Sequence, residues 1–247
     1  MKSIQNHIYS IQKTFETLGK GKLLLFFLPG FIVGGIFYYF MGFGSTLTET
    51  GDWLGGIPLI GGLLEWFLDG AAAIFEWIVL FIMQFVLLTL LSPFNSALSE
   101  KFETEITGTD FKSGLVQFLN DMLRAVFIAF IAILLELIFT LIVWIISWII
   151  PGEFIETIVY NCIAAFFFGF AFYDYSLERH RVTTISSLGF AFSHMGHMIL
   201  TGGIFMLIFA IPYIGMILAP VFATFIATGA YVKLKMPQAT NETAPNS

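Results

Sequence analysis

Residues 125–150 read AVFIAFIAILLELIFTLIVWIISWII, a run of 26 with one charged side chain, Glu136. A membrane-spanning helix needs about 20 consecutive apolar residues, so this run is long enough to cross. Pro151-Gly152 follows, a strong turn signal, and the apolar pattern resumes from Phe154 to Tyr173. The segment therefore reads as a hairpin in an apolar solvent, with Arg124 before it and a charged turn, Asp174 to Arg181, after it.

Working outward, the same layout repeats. All eleven Lys and Arg residues fall into four clusters: Lys2 to Lys22, Lys101 to Arg124, Arg179 to Arg181, and Lys233 to Lys235. Positive charge close to a membrane segment tends to stay cytoplasmic. If the four clusters share one side, each apolar gap leaves that side and returns, which gives three hairpins with both termini in the cytoplasm. The short stretches inside the first two gaps carry Glu49, Asp52, Glu65, Asp69, Glu153 and Glu156 but no base. The chain is 57% hydrophobic and 11% charged, with a mean hydropathy of +0.87. Soluble domains carry about 25% charged residues, so an all-α integral membrane protein is expected.

The remaining segments follow from pattern. Ile4, Ile8, Ile11, Phe15 and Leu18 recur at helical spacing with Lys and Gln between them, which predicts an amphipathic interfacial helix. Leu23 to Phe43 is charge-free and long enough to span. Trp53 to Asp69 is amphipathic, and Ala71 to Leu91 forms a second span that can join it as one long helix. Ser92-Pro93 reads as an N-cap with Pro in the first helical position, opening a polar helix that stops near Gly108. Phe111 to Arg124 is mixed and helix-compatible, and Ser186 to Met198 is a weakly polar amphipathic stretch. Ile199 to Ile211 is short for a span, Pro212 to Gly215 turns the chain, and Met216 to Val232 returns. Hydropathy fits this last hairpin equally to a re-entrant element and to two full spans. Residues 1–235 are expected to form a single membrane domain, and 236–247 a disordered polar tail.

Several residue types could carry chemistry. The Ser92-Pro93 start would present free amides and a partial positive charge to a dianion. Asn95, Ser96 and Ser99 could add neutral donors, Lys20 or Lys22 positive charge, and Glu100 opposes an anion unless paired. Glu136, inside an apolar helix, should face protein or a polar cavity, as a pore or coupling group or as a bonded structural acid. Arg124 could line an anion path or snorkel to a headgroup. Glu65 with Asp69, and His194 with His197, have metal-like spacing but fit polar faces better, and no metal or other cofactor is expected. The net charge of −6 and the lack of a basic stripe argue against nucleic acid. The lone Cys162 forms no intrachain disulfide, and no nucleophile elbow, Walker motif, CxxC pair or His-Glu-x-x-His pattern points to an enzyme.

Three stretches together resemble the CysZ family of bacterial sulfate permeases and its wider etoposide-induced membrane protein superfamily. Ser92-Pro93-Phe94-Asn95-Ser96-Ala97-Leu98-Ser99-Glu100, with Thr107-Gly108 after it, is similar to the family's Pro-Phe-Asn-Gly-Leu-Leu-Ala-Glu segment and trailing Thr-Gly. Tyr173-Asp174-Tyr175, then Arg179 and Arg181, looks like its Asp-Tyr-Pro turn and basic residues. Ile211-Pro212, Gly215 and Ala219-Pro220 stand at the family's C-terminal spacing. Here Ser96 replaces the motif glycine, Ala97 a leucine, Ser99 the alanine, and Ser176 the proline; Leu23 and Leu24 align with the family's paired arginines. The resemblance implies two long transmembrane helices, Leu23 to Phe43 and Trp53 to Leu91, and two partly penetrating hairpins, 125–173 and 199–232. It also implies a homo-oligomer in the bacterial inner membrane that takes sulfate or a related oxyanion inward for cysteine synthesis. Backbone amides of Asn95, Ser96, Ala97, Leu98 and Ser99 would then help hold the anion. With no nucleotide motif, flux would be passive or ion-coupled. The altered motif glycine and the missing arginines favour the alternative, a non-transport membrane scaffold, assembly or lipid-organising protein that shares the fold.

Overall fold

The computed structural model describes residues 2–36, 89–111, 115–148, 152–212 and 214–236. Every element among them is helical: α1 (Lys2–Gly19), a 3-10 turn (Leu24–Phe27) running into α2 (28–36), α3 (89–107), α4 (Leu115–Ser147), α5 (Glu153–Arg179), α6 (Thr184–Ser193), α7 (Met195–Phe209) and α8 (Gly215–Lys235). Three helices are long and apolar enough to cross a membrane, Leu123–Ser147, Glu156–Arg179 and Gly215–Lys235, and up to five spans result if two bent pairs each count as one. The protein is an all-α, multi-pass membrane protein.

α8 is the centre of the bundle. It packs against α1, α5 and α7, and 78% of its span is buried, against 17% for α4. α4 lies at the edge against α5, and its outer face shows Phe130, Leu134, Leu137, Ile138 and Leu141. A soluble protein would not expose so much contiguous apolar surface; lipid solvates it without cost. α5 crosses α7 almost backbone to backbone. A Cβ added at Gly169 would collide with the Met198 carbonyl, and one at Gly202 with the Ala165 carbonyl. Small residues allow this approach, as membrane helix packing favours.

α1 is amphipathic as the sequence predicts, and it is turned with its polar side inward. Asn6, His7, Ser10, Thr14 and Thr17 are buried, while Ile4, Ile8 and Phe15 are 51–62% exposed. Ser10 Oγ donates to the carbonyls of Phe225 (3.1 Å) and Ile226 (2.9 Å) on α8. His7 Nδ1 donates to the Ser3 carbonyl at 2.7 Å, so its Nε2 accepts from Thr201 Oγ1 at 2.8 Å. Asn6 Nδ2 donates to His197 Nε2 at 3.1 Å. Such a helix suits an interface: protein satisfies one face and acyl chains the other.

Several boundaries differ from the sequence reading. Residue 89 is already helical, so Ser92 and Pro93 lie inside α3, not at its start. Proline gives up one N–H there, and the helix continues through it. Asp174 to Arg179 belongs to α5, because Asp174 and Arg179 find buried partners and need no solvated turn. Phe111 to Arg124 and Ala125 to Ile150 are not separate; most of both form the 33-residue α4. The stretch from Ser186 to Met198 is broken near His194, where α6 and α7 meet at 90°. α7, at 15 residues, extends only about 22 Å, too short to span alone. The first predicted span is described only to Ile36, and its axis bends 105° from α1 where Gly21 and Leu23 take positive φ. Trp53 to Leu91 lies outside the described residues except for 89–91, as do Glu65, Asp69 and all of the tail after Met236.

Candidate functional site

The inward face of α3 is polar. Ser92, Asn95, Ser99 and Glu103 follow one another at helical spacing, and each is at most 3% exposed. Burying a polar group is costly unless it is bonded, so their partners define the site. Ser99 Oγ is the hub. It accepts from Arg179 Nη2 at 2.6 Å, pairs with Thr228 Oγ1 of α8 at 2.7 Å, and lies 3.3 Å from Ser176 Oγ of α5. One turn on, the Glu103 carboxylate accepts from Arg179 Nε at 2.9 Å through Oε2 and from His180 Nε2 at 2.7 Å through Oε1. Burial alone would raise the Glu103 carboxyl; the His180 hydrogen bond and the charges of Arg179 and His180 outweigh it and hold the group below the usual carboxylate range.

Towards the other end of this face two buried polar atoms have no partner among the described residues. Ser92 Oγ and Asn95 Nδ2 are buried with no hydrogen bond among the described residues, although Asn95 lies against Tyr175. Buried orphan donors of this kind call for water or an ion. α3, α5 and α8 thus enclose a polar stripe that combines orphan donors, a buried hydroxyl cluster and a guanidinium.

A family model described as "Sulfate transporter CysZ/Etoposide-induced protein 2.4" matches residues 10–220. The chain belongs to this family. Comparison with curated proteins finds no match. In this CysZ/etoposide-induced family member Ser92, Asn95 and Ser99 of the polar stripe lie on the segment, Ser92 to Glu100, whose residues carry the resemblance.

The other candidate residues are dispersed. Lys20 Nζ binds Glu16 at 2.7 Å and Lys22 Nζ binds Glu105 at 2.7 and 2.8 Å, both at the surface. Asn95 is ten residues from Glu105, about 15 Å along a helix, so Lys22 held on Glu105 is remote from the orphan donors. Ser96 and Ala97 are partly buried, and Leu98 packs with Phe102, Val221 and Phe225 in apolar core. Glu100 bears electrostatically on Arg179. Arg124 is bound away from the stripe, on α5 and α6. It grips Asp174 through Nη2 (2.9 Å) and Nε (3.2 Å) and donates to the Val182 carbonyl (2.6 Å) and Ser187 Oγ (2.8 Å), clamping α4 to α5 and α6. Glu136 is half-buried on the α4 line of Ala129 and Ala132, with no hydrogen-bond partner among the described residues. His194 stacks on Phe190 and His197 bonds to Asn6; no group of three metal-ligating side chains occurs among the described residues.

Sequence reasoning missed Glu103, Ser176, Arg179, His180 and Thr228 as one site. The available signal was spacing: Glu103 falls four residues after Ser99, on the same helix face.

Proposed function

We propose that this protein is a permease for a small oxyanion, sulfate first, carrying it into the cytoplasm of a bacterium for sulfur assimilation. Membership of a sulfate-transporter family supports the reading. The observation that carries it is the buried Arg179 guanidinium on a stripe that also holds unpartnered donors at Ser92 and Asn95. A buried cation beside neutral donors suits an oxyanion, whose several oxygens accept charge-assisted bonds. The helix-start amides proposed from sequence are not needed for this. Asn95, Ser99 and Arg179 bind the anion, and Lys20 and Lys22 act at most in long-range attraction. The protein sits in the inner membrane as a homo-oligomer, with both termini cytoplasmic.

One observation favours a non-transport scaffold: Lys20, Lys22, Arg124 and Arg179 are each already paired with a carboxylate. Uptake of labelled sulfate by proteoliposomes separates the readings. Saturable uptake that Arg179→Gln removes is expected; flux equal to that of empty liposomes means a scaffold.

A further inference from the structure

Glu103, His180, Thr107, Phe111, Tyr231 and Lys235 line an open, largely apolar cavity of about 430 Å³. That volume is many times the ~30 Å³ share of one water, enough for a tetrahedral oxyanion with part of its hydration shell. Behind the wall, the Arg179 guanidinium lies 5.3 Å over the Phe111 ring, and its side chain is 7% exposed. Lys235 Nζ stands 5.9 Å from the Tyr231 ring centroid.

The two Glu103 oxygens are held separately, one by Arg179 and one by His180. Two acceptor oxygens on one anionic centre, facing two donors, is also how a tetrahedral oxyanion would engage the pair. We infer that Glu103 is a tethered competitor: its carboxylate fills the seat between Arg179 and His180 that an incoming oxyanion takes from the cavity. This rests on the oxyanion reading above and adds a second seat, about 12 Å along α3 from Asn95, with Arg179 common to both.

Charge supports the assignment. A buried guanidinium needs a counter-anion, and Glu103 provides one whenever no ligand is present. The carbonyl ends of α3 and α8 border the cavity and disfavour an anion, so attraction falls to Arg179, His180 and Lys235. Glu100, beside Arg179, opposes it. With Glu103 seated, the net charge facing the cavity is too small to hold a dianion firmly. With Glu103 neutral or displaced, the Arg179 and Lys235 charges and the His180 ring N–H are free to bind one.

The test is sulfate titration of purified full-length protein in detergent at constant ionic strength, with gluconate as control, comparing wild type and Glu103→Gln. Glutamine keeps the shape, accepts from Arg179 and donates to the other His180 tautomer, but carries no charge. Affinity for sulfate should rise at least tenfold, and adding Arg179→Gln should abolish the gain. If Glu103→Gln does not fold, Glu103→Asp, one methylene shorter, should shift affinity in the same direction. Equal affinity in wild type and the folded variant overturns the inference and leaves the oxyanion reading standing. No saturable binding by either protein overturns both.

Discussion

Ser99 Oγ lies 2.6 Å from Arg179 Nη2, across 80 positions of sequence. This contact, with Thr228 on the third helix, joins α3, α5 and α8 through one hydroxyl. Ser99→Ala leaves a buried guanidinium donor short of an acceptor and takes away the Thr228 hydroxyl's partner. Losing a partner in a buried site costs about 1–3 kcal/mol. Denaturant unfolding in a fixed detergent should show that loss, and a variant as stable as wild type would mean water replaces the hydroxyl.

Glu103 ties stability to acid. Its carboxyl is held low, against burial, by His180 and Arg179, with Glu100 beside Arg179 and Lys235 across the cavity. A depressed folded value means the contribution is complete above the unfolded carboxyl value of about 4.3 and is lost as pH falls through the folded one. Wild type should therefore exceed Glu103→Gln in stability at pH 7, with the gap closing towards pH 3. A gap independent of pH would show that the carboxylate's charge is not what stabilises the site.

Where the sequence was legible, the signal was local. The uncharged run after Arg124 and the Pro151-Gly152 turn gave α4 and α5, Pro212 to Gly215 gave the break between α7 and α8, and the Ile4–Ile8–Ile11 spacing gave α1. The site was less legible because its contacts are long-range. Ser92-Pro93 looks alike at a helix start and in a helix that continues past a proline, and only the residues before it decide. Asp174 and Arg179 looked solvated because their partners, Arg124 and Glu103, are on other helices. The bend at His194 falls at neither a proline nor a glycine.

Arg124 holds structure. Its bidentate grip on Asp174 and its bonds to Val182 and Ser187 leave Asp174, 2% exposed, dependent on it. Breaking one side of a buried pair costs about 3–5 kcal/mol. Arg124→Gln should lower stability by that order, while sulfate affinity of the folded fraction stays unchanged. A lost affinity with intact stability would restore it to the anion path.

The crossing of α5 and α7 predicts opposite outcomes at adjacent glycines. Gly202 faces the Ala165 backbone, which cannot move aside as a side chain can; Gly203 has nothing within 4 Å of an added Cβ. Gly202→Ala should destabilise at the upper end of the ~1–3 kcal/mol typical of overpacking. Gly203→Ala should be neutral, or stabilise by up to about 1 kcal/mol through helix propensity. Thermal unfolding of both variants in one detergent checks the pair, and equal effects would mean the helices do not cross here.

Glu136 sits on the inward line of α4, four residues after buried Ala132, and has no polar partner among the described residues. A carboxylate in such a place is costly when charged and wants a hydrogen bond when neutral. If it stays there to serve flux, stability and activity should separate. Glu136→Leu removes an unpaired polar group and should leave the unfolding temperature unchanged or raise it. The same change should reduce sulfate uptake in proteoliposomes, and Glu136→Gln, which keeps a polar group but cannot ionise, should flatten the dependence of uptake on pH. A structural acid behaves in the opposite way, with Gln nearly silent and Leu destabilising. That pattern would place Glu136 in a hydrogen bond between helices and remove it from the path.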